Sequence, residues 1–218
     1  MLLLYLMTMD QMLLVDKPRG LTSSQVVQAI KRKLKVKTGH TGTLDPLATG
    51  LLIILTGRRT RQARAFLRFR KSYEVKGVLG VETDTYDAEG KIVSQKEGVV
   101  TREEIEAATG EFRGVIWQTP PSYSSKKVKG KRAYELARKG QTPELSPNEV
   151  TVYSLELKDC QFPHFTLVCE VSSGFYVRSL VHDIGCRLRV GATVTDVRRT
   201  AIGPYLVSQA KSLDEILE

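Results

Sequence analysis

Residues 51–55 read Leu-Leu-Ile-Ile-Leu, five consecutive apolar side chains. Such a run has neither the two-residue alternation of a half-exposed strand nor the 3.6-residue stripe of a surface helix, so both of its faces must be covered. It predicts a fully buried strand or a short buried helix. Directly before it lies 37–50, Lys-Thr-Gly-His-Thr-Gly-Thr-Leu-Asp-Pro-Leu-Ala-Thr-Gly, with three glycines, one proline and one carboxylate. That stretch has no helical or strand period, and it predicts a tightly folded loop held against the core. Asp45 precedes Pro46, which biases it away from the α region and presents its side chain from a rigid turn. An Asx-turn for Asp45 and a surface His40 are the plainer reading. No Walker lysine follows the glycines, so the loop is not a phosphate-cradling P-loop.

The chain around this pair mixes strand and helix signals. Residues 12–15 favour a strand, and 16–20 (Asp-Lys-Pro-Arg-Gly) a turn. Thr22, Ser23 and Ser24 are competent N-caps for a helix carrying Val26, Val27, Ile30 and Leu34 at helical spacing. Residues 58–71 read as a basic amphipathic helix with Ala65, Phe66 and Phe69. Strand alternation returns over 73–81, and 87–93 looks like a hairpin on Glu89-Gly90. Thr101-Arg102-Glu103-Glu104 is a capping box for a helix ending near Gly110. Strands at 150–157, 166–171 and 195–200 and a helix over 177–188 complete the reading. Elements alternate without a βαβ rhythm, so the expected class is α+β. The 218 residues suit one good-sized core, at ~100 to 200 residues per domain.

Hydrophobic residues at 41% and charged residues at 26% exclude a disordered or collagen-like chain. The net charge of +9 calls for an anionic partner, either a polyphosphate backbone or an anionic membrane. Three cysteines form no CxxC pair, and three histidines lack HExxH spacing. The expectation is reduced thiols, a cytoplasmic address, no metal and no cofactor. The opening Met-Leu-Leu-Leu-Tyr-Leu-Met has no basic flank and no cleavage site, so it reads as neither signal peptide nor span, and it is compatible with an over-called start codon.

Three further segments bear candidate chemistry. Tyr73 stands at a strand start, where tyrosines are usually packing residues. Arg178 falls in the first turn of an apolar helix, where the helix dipole disfavours it; a buried carboxylate is the natural compensation, and an exposed Arg the plain alternative. Over 122–139, seven basic residues face one acidic residue, with Tyr123 and Tyr134 interleaved. Lys126, Lys127, Lys129, Lys131 and Arg132 suit phosphates, and flat rings suit unstacked bases. The SxxK match at Ser124 and Lys127 lacks its companion motifs. The region 121–149 reads as an insertion-sized loop of the kind that carries function.

In order, DKPRGLTS at 16–23, GHTGTLDPLATGLL at 39–52, KSYEV at 71–75, QTPPSYSSKKVKGKRAYELAR at 118–138, SGFYVRSLVHDIG at 173–185 and RRTAIG at 198–203 resemble the TruB family of pseudouridine synthases. The resemblance implies a mixed, largely antiparallel sheet flanked by helices with a central RNA-binding cleft. It implies conversion of uridine 55 in the T loop of tRNA to pseudouridine, without metal or cofactor. Asp45 would be the catalytic aspartate, Tyr73 the tyrosine that stacks on the target base, and Arg178 the aspartate's ion-pair partner. His40 would contact the opened RNA loop, Lys17 and Pro18 would support the active-site loop, and Tyr176 would line the pocket. The expected partner is the T-arm stem-loop of tRNA, bound by a monomer. The chain stops about fifteen residues past RRTAIG, so a single catalytic domain without a complete C-terminal RNA-binding module is expected. A non-catalytic RNA-binding protein or tRNA-folding chaperone using the same cleft is the alternative; Asp45, Tyr73 and Arg178 together favour catalysis.

Overall fold

The computed structural model describes residues 10–128 and 130–218. The apolar opening and Lys129 lie outside the described residues. The chain divides into two compact units, one formed by residues up to Tyr73 together with Val197–Glu218, the other by Glu74–Asp196. Strands β4 (Lys71–Leu79) and β12 (Ala192–Ile202) each pass from one unit into the other along the chain.

The first unit is built on strand β3 (Thr49–Thr56), which contains the five-residue apolar run. It pairs antiparallel with β1 (Met12–Lys17) and β2 (Thr38–His40), and parallel with the end of β12, where Arg198 and Arg199 face Thr49 and Gly50. Strand β13 (Tyr205–Leu206) pairs antiparallel with β12, and β14 (Lys211–Ser212) runs parallel to β1. Alternation sends Leu52 and Ile54 to one face of β3, against Val15, Val26, Ile30 and Leu213. It sends Leu51, Ile53 and Leu55 to the other, with Ile202, Phe66, Phe69 and Tyr205. Both faces are therefore covered, which accounts for a run without polar interruption. One cover is helix α1 (Ser23–Leu34), capped by Thr22 in a capping box with Gln25. The short helix α6 (Leu213–Leu217) contributes Leu213 to the same side.

One expected helix is not continuous. Residues 57–62 form a 3₁₀ turn, α2 spans only Ala63–Leu67, and the chain is extended again from Lys71. Six arginines between 58 and 70 without an acidic residue repel one another, and neither short segment has a side-chain N-cap. The aromatic cluster of Phe66, Phe69 and Tyr205 decides the local path instead.

In the second unit the strand order is β4–β11–β10–β7, with β7 (Gly114–Gln118), β10 (Asn148–Gln161) and β11 (His164–Val171) joined antiparallel. Helix α3 (Arg102–Gly110), with its Thr101–Glu104 capping box, packs on β10 and on α5 (Val177–Arg187). The expected hairpin at 87–93 is displaced. Its arms are β5 (Val81–Thr83) and β6 (Ile92–Gln95), and Asp87 lies in the connecting loop, 5% exposed. Beyond β7, β8 (Lys127–Val128) pairs antiparallel with β9 (Lys131–Arg132), and α4 (Ala133–Ala137) follows.

Leu52→Ala should cost about 2–5 kcal/mol in chemical denaturation, as for other buried leucines. Ile92→Ala, at a side chain 59% exposed, should stay within about 0.5 kcal/mol. Equal losses at the two sites would contradict a core centred on β3.

Candidate active site

Asp45 is partly exposed at the bend of the loop between β2 and β3. No strand ladder runs through residues 41–48, so the backbone polar groups of this loop need other partners. Side chains supply them on both sides of Asp45. The Ser23 hydroxyl accepts from the Leu44 N–H at 2.8 Å and donates to the Leu44 carbonyl at 3.0 Å. The Pro46 carbonyl accepts from the Gly20 N–H at 2.8 Å. Lys17 is fully buried, and its ammonium donates to the carbonyls of Pro18 at 2.8 Å, Leu21 at 2.6 Å and Pro46 at 3.4 Å. Lys17 thereby ties the 16–21 turn to the residue that follows Asp45.

Arg199, 1% exposed, does the same from β12. Its guanidinium donates to the carbonyls of Leu51 at 2.7 Å, Thr43 at 3.3 Å and Gly42 at 3.2 Å. Gly50, at φ 101°, lets the backbones meet there, since a Cβ would collide with the Arg199 carbonyl. Sequence reasoning did not single out Arg199. Its neighbour Arg198 instead forms a two-point pair with Asp16, at 2.7 and 3.1 Å. Strand alternation separates the two arginines, one buried and one partly exposed.

Burial, with Arg199 second, shifts the protonation of the neighbouring groups. Burial, and after it the charge of Arg199, holds His40 below the ordinary histidine range, so the imidazole is neutral at pH 7. The Gly42 N–H donates to its Nδ1 at 3.3 Å, which leaves the proton on Nε2 as a donor. Tyr73 is 8% exposed and shares the buried face of β4 with Lys71 and Val75. The Lys71 ammonium donates to the carbonyls of Leu67 and Phe69 at 2.7 and 2.6 Å. Burial, and secondarily Arg199, lowers its pKa to about 8.

Tyr176, Arg178 and the basic loop belong to the second unit. Arg178 is 6% exposed, and the buried carboxylate of Asp87 lies 3.3 Å from its guanidinium. Its guanidinium also donates to the carbonyls of Thr85 at 2.8 Å and Tyr123 at 2.9 Å. Asp87 is oriented in turn by the Thr85 hydroxyl at 2.7 Å and the Glu89 N–H at 3.1 Å. Reading 87–93 as a hairpin arm hid this residue. Tyr176 caps α5 through its backbone: its N–H donates to the Gln118 side chain at 2.7 Å, and its carbonyl accepts from the same amide at 3.0 Å. Farther along α5, burial raises Asp183 to about 6.

In the basic loop, Lys127, Lys131 and Arg132 are exposed, while Lys126 donates to Asn148 at 2.7 Å. Two guanidinium groups approach the Tyr134 ring, Arg132 at 5.9 Å and Arg138 at 5.5 Å from its centroid, within cation–π range.

The family model described as TruB family pseudouridylate synthase (N terminal domain) matches residues 30–177. The chain belongs to the TruB family of pseudouridylate synthases. A second model, the tRNA pseudouridylate synthase B C-terminal domain, matches residues 178–218. The chain is 51% identical over 212 residues to the tRNA pseudouridine synthase B of Aquifex aeolicus, covering 96% of this chain and 74% of that protein. It is 43% identical over 205 residues to the tRNA pseudouridine synthase B of Stutzerimonas stutzeri, covering 94% and 67%. A solved Cbf5–Nop10–Gar1 complex contains a chain with a TM-score of 0.76 at 29% identity, covering 96% of this chain and 54% of that one. An H/ACA ribonucleoprotein bound to a substrate RNA containing 2′-deoxyuridine gives a TM-score of 0.71 at 28% identity, covering 94% and 52%. The TruB chain thus spans about half the length of these solved chains, and their likeness supports the expected α+β fold with a largely antiparallel sheet. Among the described residues no helix is long and apolar enough to cross a membrane.

Removing Asp87 takes a buried carboxylate from beside the buried Arg178 guanidinium. Asp87→Ala should lose about 3–5 kcal/mol in urea denaturation. Combined with Arg178→Met it should lose clearly less than the sum of the single changes, whereas additive losses would contradict the pairing.

Proposed function

We propose that this chain isomerises uridine to pseudouridine at position 55 in the T loop of tRNA, with Asp45 as nucleophile. The observation that carries the proposal is the anchoring of the Asp45 loop from both sides, by Ser23 and Arg199 before the aspartate and by Lys17 and Gly20 after it. A carboxylate fixed in this way loses little freedom when it meets a substrate, which favours attack on one defined atom.

The isomerisation needs no net exchange of atoms. The N1–C1′ bond breaks, the uracil turns, C5 bonds to C1′, and the proton on C5 leaves while N1 takes one up. The base must first leave the stacked loop. Attack by the carboxylate on C6 of the ring or on C1′ of the sugar each provides an intermediate that holds the base during this turn. Tyr73 stacks on the flipped base, and its oxygen or a water takes the C5 proton. His40 offers its Nε2–H to the opened RNA loop, and Tyr176 lines the pocket. The resemblance assigns Arg178 to Asp45 as ion-pair partner. Lys126, Lys127, Lys129, Lys131 and Arg132 take the phosphates of the T-arm stem-loop, which makes binding steeply salt-dependent. A single catalytic domain acting as a monomer in the cytoplasm suffices for these contacts.

The test is an unmodified tRNA transcript incubated with the protein and mapped for pseudouridine by carbodiimide chemistry. Modification at position 55 is expected. Asp45→Asn should abolish it while changing tRNA affinity by less than about 1 kcal/mol, the scale of one hydrogen bond. Substantial turnover by Asp45→Asn would refute the nucleophile, and tRNA binding without turnover by the unaltered protein would favour a folding chaperone.

A further inference from the structure

We propose that Glu82, His182 and Cys186 form a binding site for a thiophilic divalent cation of the Zn²⁺ type. His182 and Cys186 lie four residues apart on one face of α5, and Glu82 reaches them from β5. One donor atom from each residue falls within a set no more than 4.8 Å apart. The Cys186 sulfur is 3.5 Å from His182 Nε2 and 3.9 Å from Glu82 Oε1, and Glu82 Oε1 is 3.9 Å from His182 Nδ1. Tetrahedral Zn²⁺, with bonds of ~2.3 Å to sulfur and ~2.0 Å to nitrogen and oxygen, sets ligand atoms roughly 3.3–3.6 Å apart. The sulfur lies nearer Nε2 and the carboxylate nearer Nδ1, and one ion takes a single ring nitrogen, so closing a set that spans up to 4.8 Å to this spacing takes side-chain movement of roughly an ångström.

A second observation points to the same place. His182 Nδ1 is buried and has no hydrogen-bond partner, an arrangement that proteins seldom leave uncompensated. The ring itself is firmly placed, stacked on Tyr86 with centroids 3.8 Å apart and planes within 5°. That stacking covers the ring's face and leaves its edge for the carboxylate and the thiol.

The donor set decides the class of ion. One thiolate, one imidazole and one carboxylate suit Zn²⁺ or its borderline neighbours rather than Mg²⁺ or Ca²⁺, which prefer oxygen alone. Binding transfers the Cys186 proton to solvent, and the thiolate and Glu82 then neutralise the two charges of the ion. Three protein ligands leave a fourth position for water. Cys186 is exposed, so the ion has an entry path. The site would clasp the 82–87 loop to α5. The same loop and helix carry the Asp87–Arg178 pair, with Arg178, His182 and Cys186 at successive four-residue steps. Bound metal would therefore stiffen the mount of Arg178. The sequence displays no such pattern, because Glu82 stands a hundred residues before His182.

The full chain, stripped with a chelator, would be titrated with Co²⁺ as a spectroscopic substitute and then with Zn²⁺ in competition. One equivalent of Co²⁺ should produce a thiolate-to-cobalt charge-transfer band that Zn²⁺ abolishes. Zn²⁺ should also raise the thermal midpoint. Cys186→Ser should eliminate the band, and His182→Ala and Glu82→Gln should each weaken Co²⁺ binding by more than about tenfold, at least the effect of losing an outer-shell partner. Cys160→Ser should leave it intact. Absence of a band at one equivalent, or a full band in Cys186→Ser, would overturn the site.

Discussion

A buried cation must have its donors satisfied, and in this protein that requirement is met by the carbonyls of a loop. Lys17 and Arg199, both essentially inaccessible to water, direct their hydrogen bonds to residues 18, 21, 42, 43, 46 and 51. Each charged N–H to a carbonyl is stronger than a neutral pair, and each buried carbonyl left without a donor would cost about 1–3 kcal/mol. The dependence is mutual: the loop neutralises the desolvation of the cations, and the cations give shape to a loop without a ladder. Burial first, and the charge of Arg199 after it, keep His40 neutral and lower Lys71. Arg199 thus contributes both to the loop's position and, after burial, to the protonation of its neighbours.

The second unit solves the complementary problem with an acid. Arg178 sits where the helix dipole opposes a positive charge, and Asp87 compensates it from a loop that Thr85 and Glu89 hold in place. The pair therefore depends on eight loop residues between β5 and β6, whose conformation rests on turn hydrogen bonds such as Gly90 N–H to the Asp87 carbonyl.

The elements legible in the sequence are those governed by local rules. Helix α1 begins at its cap, α3 at its capping box, and the apolar run at 51–55 forms a strand because alternation loads both of its faces. Asp45, Lys17, Tyr73 and Arg178 stood out through turn chemistry, motif resemblance and an unfavourable dipole. Arg199 did not, since one of two adjacent arginines in a strand is buried and no local signal says which. Asp87 did not, since a short polar stretch with a Gly reads equally as a hairpin arm or as a loop. The broken helix at 57–67 shows the same limit: its periodicity was helical, but charge repulsion and distant aromatic packing on Tyr205 determined the chain's path.

Amide hydrogen exchange at pH 7 on the unaltered chain and on Lys17→Met tests most directly whether a buried cation holds the Asp45 loop. The account expects protection across 41–48 to fall by about tenfold or more, equivalent to roughly 1.4 kcal/mol, while α5 keeps its protection. Unchanged exchange in that loop, or an equal loss through α5, would contradict it.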